Sequence, residues 1–130
     1  MKKLVKLLKA LSDFQRLRIL FLLYHKELCV CEINKIIGFT PATISQHLSI
    51  LTDVGILKPK KIKRWVFYKI DWNNFDQDLK QILMTIFRNL KGDPEIIRDI
   101  ENLNIIGKNK LLNQVIVNDK SMKEKNYESK

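Results

Sequence analysis

At 130 residues with 45% hydrophobic side chains, the chain is long enough for one domain with a modest core. No apolar run approaches the ~20 residues that span a bilayer, and Lys6 and Lys9 interrupt the apolar region that a signal peptide would need. We therefore expect a cytoplasmic protein with no membrane partner. The net charge of +10 lies wholly in residues 1–70, with 14 Lys or Arg against 4 Asp or Glu, which favours a polyanionic partner.

The first predicted element is an amphipathic helix from Lys2 to Leu11, with leucines at helical spacing and lysines on the other side. This leucine stripe is expected to pack in the core of one subunit, to form a dimer interface, or to do both. It consists of Leu4, Leu7, Leu8 and Leu11.

A second helix is predicted to run to about Tyr24, with Ser12 as its N-cap residue and Asp13 in its first turn. Arg16 and Arg18 on this helix are expected either to contact phosphates or to be simply solvated. Apolar residues at i, i+3, i+4 and i+7 predict its buried face: Leu17, Leu20, Phe21 and Tyr24.

Residues 27–51 predict two short helices joined by a tight turn. The first has Leu28, Ile33, Ile36 and Ile37 on its apolar side, and Gly38 ends it. In the second, Thr40 is the predicted N-cap residue, Pro41 the first helical residue, and Ile44, Leu48 and Leu51 one buried stripe. This pattern favours a helix–turn–helix whose second helix lies in the major groove of DNA.

The face of the second helix opposite the stripe is mostly small and polar. Gln46 can form a bidentate pair with adenine, and Thr43 or Ser45 can reach bases or phosphates. His47 lies at the edge of the buried stripe, so a structural role suits it as well as base contact. A helix–turn–helix used only for protein contacts is the alternative. The predicted DNA contacts here are Thr43, Ser45, Gln46, His47 and Ser49.

Two short strands are predicted after Gly55, at residues 56–58 and 65–70, joined by the basic segment P-K-K-I-K-R. The second strand alternates, with Trp65, Phe67 and Lys69 on one face. A basic hairpin beside a recognition helix is a wing suited to a neighbouring DNA backbone or minor groove, and its phosphate contacts make binding salt-dependent. Its predicted phosphate contacts are Lys60, Lys61, Lys63 and Arg64. The predicted fold class is mainly α with a small β-hairpin, a winged helix–turn–helix.

A strongly amphipathic helix is predicted from about Phe75 to Lys91, and another helix begins at Asp93-Pro94. We therefore divide the chain into a winged helix–turn–helix domain for DNA binding and dimerisation, residues 1–92, and a C-terminal extension, residues 93–130. The extension is expected to be helical at first and mobile from Asn118, where too few apolar residues remain.

Cys29 and Cys31 are too close in sequence for a structural disulfide. A close thiol pair in a reducing compartment typically binds metal or is redox-active, and the alternative is two small buried hydrophobes. Thiolates prefer soft, thiophilic ions, and a helix N-terminus favours the thiolate form. On an ideal helix residues i and i+2 point about 200° apart, so one ion held by both would distort the turn.

Three segments resemble the ArsR/SmtB family of metalloregulatory repressors: E-L-C-V-C-E-I, S-Q-H-L-S-I-L-T-D-V-G-I-L and R-W-V-F-Y-K-I. The resemblance covers about residues 7–90. It implies a repressor of double-stranded operator DNA and a homodimer in which the first and last helices pair, which suits palindromic half-sites about 34 Å apart. The dimer contacts that it implies are Leu4, Leu7, Leu8, Leu79, Ile82, Leu83 and Ile86.

The resemblance also implies As(III) or Sb(III) as the inducer held by Cys29 and Cys31, or Cd(II), Pb(II) or Zn(II) in a related branch. The arsenic branch commonly has a third Cys where this chain has Asn34, and the cadmium branch has N-terminal cysteines that residues 1–26 lack. Two thiolates with an external thiol or water would still hold As(III).

Two further positions depart from the family. A zinc site on the last helix would need histidines there, but His25 and His47 lie elsewhere. Lys63 stands where the hairpin turn often has Gly, which predicts a wing tip of different or looser geometry.

Two other functions remain open from the sequence. The thiol pair would also suit a redox or persulfide sensor, and the chain would suit a metal-binding or thiol-exchange protein whose winged helix serves assembly. An enzyme is not expected, because the sequence has no Ser/His/Asp set, no paired carboxylates in an apolar setting and no Gly-rich phosphate loop.

Overall fold

The structure, a computed structural model, describes the backbone of residues 2–119 and the side chains of residues 2–107. It has the predicted winged helix–turn–helix fold. None of its described helices is both long and apolar enough to cross a membrane. The helices are α1 Lys2–Leu11, α2 Phe14–His25, α3 Val30–Ile37, α4 Pro41–Asp53, α5 Gln77–Leu90 and α6 Pro94–Asp119; the strands are β1 Leu28–Cys29, β2 Leu57–Ile62 and β3 Trp65–Ile70, followed by a 3₁₀ turn, Trp72–Asn74.

The second helix is capped by Asp13 and not by Ser12, so that prediction was wrong. Asp13 Oδ1 accepts hydrogen bonds from the backbone N–H groups of Gln15 and Arg16, at 2.9 and 3.1 Å. Ser12 Oγ instead donates to the Lys9 carbonyl at the end of α1. A carboxylate at this position interacts with the helix dipole more strongly than a hydroxyl, which explains why Asp13 and not Ser12 is the N-cap residue.

The helix–turn–helix is confirmed by α3 and α4. Gly38 ends α3 with φ +85°, a left-handed conformation that glycine adopts without strain. Thr40 Oγ1 then accepts a hydrogen bond from the Thr43 N–H at 3.1 Å, and Pro41 begins α4. All three residues of the predicted stripe of α4 are fully buried: Ile44, Leu48 and Leu51.

The sheet has a third strand, which the sequence analysis missed. The strands lie in the order β1-β3-β2, all antiparallel, with Leu28 opposite Tyr68 and Cys29 opposite Phe67. The sequence pattern instead predicts Leu28 on the first helix of the helix–turn–helix. A two-residue strand is too short to show alternation, so the prediction was wrong there.

The wing is a longer hairpin than predicted, because β2 continues through the basic segment to Ile62. Ile62 pairs with Trp65, which leaves Lys63 and Arg64 as a two-residue turn. Lys63 has φ +57°, the positive value that such turns require. The lack of glycine at this position therefore does not open the wing tip.

The last two helices each differ from the prediction: α5 begins later, and α6 packs into the core. Asp76 Oδ1 caps α5 by accepting from the Leu79 N–H at 2.8 Å, so α5 starts at Gln77 and not at Phe75. Ile96 and Leu103 of α6 are buried in the same core as α2 and α3. The C-terminal extension is thus helical where the structure describes it; residues 120–130, most of the predicted mobile tail, lie outside the described residues.

Arg18 joins α2 to α6 and is only 5% exposed, so our prediction of a phosphate contact or a solvated side chain was wrong. Its Nε and Nη2 atoms donate to the Asp99 carboxylate at 2.8 and 2.9 Å, and Asp99 is itself 3% exposed. The hydrogen bond with Asp99 raises the pKa of Arg18 despite the opposing effect of burial. Arg18 also lies over the Phe39 ring, in the turn between α3 and α4.

Candidate nucleic-acid interface and thiol pair

The two cysteines lie where the wing sheet joins the helix–turn–helix. Cys29 is the last residue of β1 and the N-cap residue of α3, with extended backbone and 3% exposure. Cys31 is half-buried in the first turn of α3, and neither cysteine forms a disulfide. Cys29 is not helical, so the predicted 200° divergence of an ideal helix does not apply to this pair.

Two polar side chains on α3 accompany the thiols. Glu32 is 2% exposed, and its Oε1 accepts a hydrogen bond from the Cys29 N–H at 3.1 Å, as in a capping box. Asn34 Oδ1 is buried and accepts no hydrogen bond within the described residues. The described residues contain no group of three His, Cys, Asp or Glu that could hold a metal ion. The donor set is therefore two thiols, which fits a thiophilic ion that takes its remaining donors from outside the subunit.

Cys29 is linked to the wing by strand pairing. Phe67 of β3 lies opposite Cys29 on one side and opposite Lys60 on the other. Cross-strand partners share a sheet face, so these three side chains form one row across the sheet. Cys29 is thus connected to Lys60 of the basic wing through two hydrogen-bonded strand pairs.

The exposed face of α4 carries the predicted DNA contacts. Ser45, Gln46 and Ser49 are exposed, whereas Thr43 is half-buried and its hydroxyl accepts from the Thr40 hydroxyl at 3.0 Å. The sequence pattern therefore placed the polar face correctly. Whether these side chains contact DNA stays a prediction.

His47 differs from the other residues of this face, because it is half-buried and its Nδ1 atom lies 3.3 Å from Nη1 of Arg16. Arg16 is held in turn by the Ala10 carbonyl at 2.7 Å and the Lys9 carbonyl at 3.3 Å. Sequence reasoning offered Arg16 only as a phosphate ligand or a solvated side chain. It missed this contact because the two residues are 31 positions apart.

The four predicted phosphate ligands of the wing are all exposed, but they do not share one face. Strand alternation puts Lys60 and Lys61 on opposite sides of β2. Lys60 Nζ lies 3.4 Å from Glu27 Oε1, an exposed ion pair that screening by salt weakens. Lys63 and Arg64 form the turn, where Arg64 lies 5.8 Å from the centre of the Trp65 ring.

The predicted dimer residues separate into two groups. Leu83 is fully buried and Leu7 is 9% exposed, so both belong mainly to the core of one subunit and cannot form much of an interface. Leu4, Leu8 and Ile82 are 45, 48 and 37% exposed, while Leu79 and Ile86 are half-buried. Exposed apolar side chains thus remain on both α1 and α5.

The chain is similar to known proteins in sequence and in structure. The sequence pattern of the arsR family of bacterial regulatory proteins matches residues 13–58. A cadmium resistance transcriptional regulatory protein, a CadC homolog from Staphylococcus aureus, is 40% identical over 83 residues, which cover 63% of this chain and 65% of that relative. This chain thus spans just under two thirds of the staphylococcal protein.

Matches to two further proteins span a larger share of those proteins. An arsenical resistance operon repressor from Bacillus subtilis is 31% identical over 94 residues, 72% of this chain and 89% of the repressor. The solution structure of a homodimeric winged helix–turn–helix DNA-binding domain from Mycobacterium bovis, a possible ArsR-family regulator, matches with a TM-score of 0.57 and 25% identity. That match covers 65% of this chain and 75% of the other.

Proposed function

Because the chain belongs to the arsR family of bacterial regulatory proteins, we propose that it is a DNA-binding repressor released from its operator by a thiophilic ion. The members of this family are transcriptional regulators and not enzymes. The ion binds the Cys29 and Cys31 thiolates, and As(III) or Sb(III) is the first candidate. The position of the thiol pair, at the junction of the wing sheet and the helix–turn–helix, is the observation that carries the proposal.

The coupling between ion binding and DNA binding follows from the elements that carry the two cysteines. Cys29 moves with β1, which is paired to the wing through β3, and Cys31 moves with α3, which packs against α4. An ion held by both sulfur atoms changes the position of the wing relative to the recognition helix. If DNA requires one relative position, ion binding weakens DNA binding, and DNA weakens ion binding by the same factor.

The identity of the inducer depends on the third donor. Within one subunit two thiolates are available, so As(III) needs an external thiol or water. The cadmium regulator from S. aureus is more similar to this chain than the arsenical repressor from B. subtilis, but residues 1–26 lack the N-terminal cysteines of the cadmium branch, so cadmium is the second candidate. Pb(II) or Zn(II) would use the same two thiolates, and a redox or persulfide response would use them without a metal.

DNA binding in this proposal uses a homodimer on a palindromic operator. Gln46, Ser45 and Ser49 contact bases in the major groove, and the basic wing contacts the phosphates. The exposed leucines of α1 and the apolar side chains of α5 meet those of a second copy. The homodimeric domain from M. bovis supports this assembly.

The test is fluorescence anisotropy of a labelled duplex from the gene's upstream region with the full, reduced chain. Arsenite, cadmium, zinc and peroxide are titrated separately, with Cys29→Ser and Cys31→Ser as variants. We expect arsenite to release the duplex from the wild type and from neither variant.

The other outcomes separate the alternatives. Release by cadmium alone would identify a cadmium sensor, and release by peroxide alone a redox sensor. Binding of the duplex that no ligand changes would make both cysteines structural and contradict the switch. No sequence-specific binding at all would point to a winged helix used for assembly.

A further inference from the structure

His47 is anchored to the rest of the domain through one ring nitrogen. Arg16 Nη1 lies 3.3 Å from His47 Nδ1. A guanidinium has five donors and no acceptor, so this hydrogen bond requires Nδ1 to carry a lone pair. The neutral ring must then carry its proton on Nε2.

Arg16 is well placed to hold the ring in this way. Its side chain is 14% exposed and lies 3.8 Å from the Asp13 carboxylate, in addition to its bonds with the Lys9 and Ala10 carbonyls. Three elements therefore meet at one guanidinium: the end of α1, the start of α2 and the middle of α4. A group fixed by so many partners keeps the His47 ring in one orientation.

We propose that Arg16 is a positioning residue that makes His47 a hydrogen-bond donor to DNA through Nε2–H. This inference rests on the proposed function, because it assigns a contact within the same DNA-binding surface. His47 follows Gln46 on α4 and is half-buried, and Arg16 contacts its Nδ1 atom, which leaves Nε2 for an outside partner. The partner is an acceptor oxygen or nitrogen of DNA, either on a base edge, such as guanine N7 or O6, or on a phosphate.

The chain contains an internal control for the tautomer. His25 is the only other histidine, and its Nδ1 lies 2.8 Å from the Phe21 carbonyl oxygen. A carbonyl only accepts, so His25 must carry its proton on Nδ1. The two histidines should therefore have opposite tautomers in the same sample.

The first experiment measures both tautomers by ¹⁵N-edited NMR of the full, reduced chain without DNA, at about pH 8.5. We expect Nε2–H at His47 and Nδ1–H at His25. Arg16→Met should shift His47 toward a mixture of tautomers and leave His25 unchanged. An Nδ1–H tautomer at His47, or a His47 spectrum that Arg16→Met does not change, would overturn the role of Arg16.

The second experiment compares two substitutions by duplex anisotropy. His47→Asn keeps an acceptor near the Nδ1 position but loses the outer donor, and we expect about tenfold weaker binding, the usual effect of one hydrogen bond. His47→Gln puts an amide donor near the Nε2 position and should recover most of that loss. Wild-type affinity in His47→Asn, or equal losses in both variants, would overturn the DNA contact.

The pattern of loss identifies the acceptor. Loss confined to one base pair of the operator indicates a base edge, and a uniform loss with a smaller salt dependence indicates a phosphate. A wild-type chain that binds no duplex would overturn the proposed function and this contact together. The tautomers would still report on Arg16 alone, so the two failures can be distinguished.

Discussion

At the scale of single residues, two arginines that are two positions apart have unrelated roles. Arg16 contacts the recognition helix through His47, and Arg18 forms a buried ion pair with Asp99, 81 positions away. Neither contact leaves a pattern in the sequence, because each depends on a long-range partner. The thiol pair is different, since the proximity of Cys29 and Cys31 is visible in the sequence itself.

Asn34 gives the first prediction about the proposed ion site. Residues 31 and 34 are three apart on α3 and therefore share one side of the helix. Because Asn34 Oδ1 accepts no hydrogen bond within the described residues, Asn34→Cys breaks no bond to that atom. It offers a third thiolate, and we expect arsenite to release DNA at about tenfold lower concentration, about 1.4 kcal/mol of binding free energy.

The matched control for this prediction is Asn34→Ser, which has the same size as cysteine but no thiol. It should respond to arsenite like the wild type in the same anisotropy titration. A Cys variant that is no more sensitive than the Ser variant would show that position 34 does not reach the ion.

The ion pair of Arg18 gives a prediction about stability. Asp99→Leu removes the buried carboxylate of this pair and leaves the guanidinium with only the exposed Glu95 carboxylate, 3.6 Å from Nη1, so the free energy of unfolding should fall by up to about 3–5 kcal/mol. The double variant Arg18→Met and Asp99→Leu should recover much of this loss. The pKa of Arg18 is raised in the folded chain, so its contribution to stability is complete at neutral pH and is lost only under strongly alkaline conditions.

Denaturant unfolding at one fixed protein concentration measures these differences, because the stability of an oligomer depends on concentration. Glu27→Gln is the control: it removes the exposed pair with Lys60 and should cost less than about 1 kcal/mol. A similar small loss in Asp99→Leu would mean that α6 does not depend on this pair.

At the scale of helices and strands, the sequence predicted best where an apolar stripe is long. The stripe of α4 and its Thr40 cap were predicted correctly, as was the start of α6 at Asp93-Pro94. The strand β1 was missed because two residues carry no period. Its omission placed Cys29 on a helix, and for that reason the predicted geometry of the thiol pair was wrong; that Cys29 and Cys31 bind an ion stays a prediction.

The wing turn gives a prediction at this scale. A non-glycine residue at φ +57° costs about 1–2 kcal/mol, partly offset by the greater freedom of glycine in the unfolded chain. Lys63→Gly should therefore raise the free energy of unfolding by up to about 1 kcal/mol. The same change removes a predicted phosphate contact, so DNA affinity should fall and its salt dependence should decrease by about one counterion.

Lys61→Gly is the matched control, because it removes the same charge from a strand position. It should lower both stability and DNA affinity. Chemical unfolding and anisotropy at several salt concentrations distinguish the two variants. Equal stability changes in both would contradict strain at Lys63.

At the scale of the whole molecule, one subunit leaves apolar side chains exposed on several helices. Leu4, Leu8 and Ile82 lie on α1 and α5, and Ile97 lies on α6 with 46% exposure. A two-fold dimer uses the same patch on both subunits, so the proposed α1–α5 interface predicts that exposed residues of these helices matter and that Ile97 does not.

Leu8→Glu tests this interface, because it introduces two charges at the centre of a two-fold contact and should give a monomer in analytical ultracentrifugation. Ile97→Glu adds the same charge to a similarly exposed apolar site and should leave a dimer. Since a dimer binds its second half-site at high effective concentration, the Leu8 variant should lose at least about 100-fold in affinity for a palindromic duplex. It should bind a single half-site as the wild-type subunit does. A dimeric Leu8→Glu would contradict the interface between α1 and α5. A monomeric Ile97→Glu would indicate that α6 forms the interface.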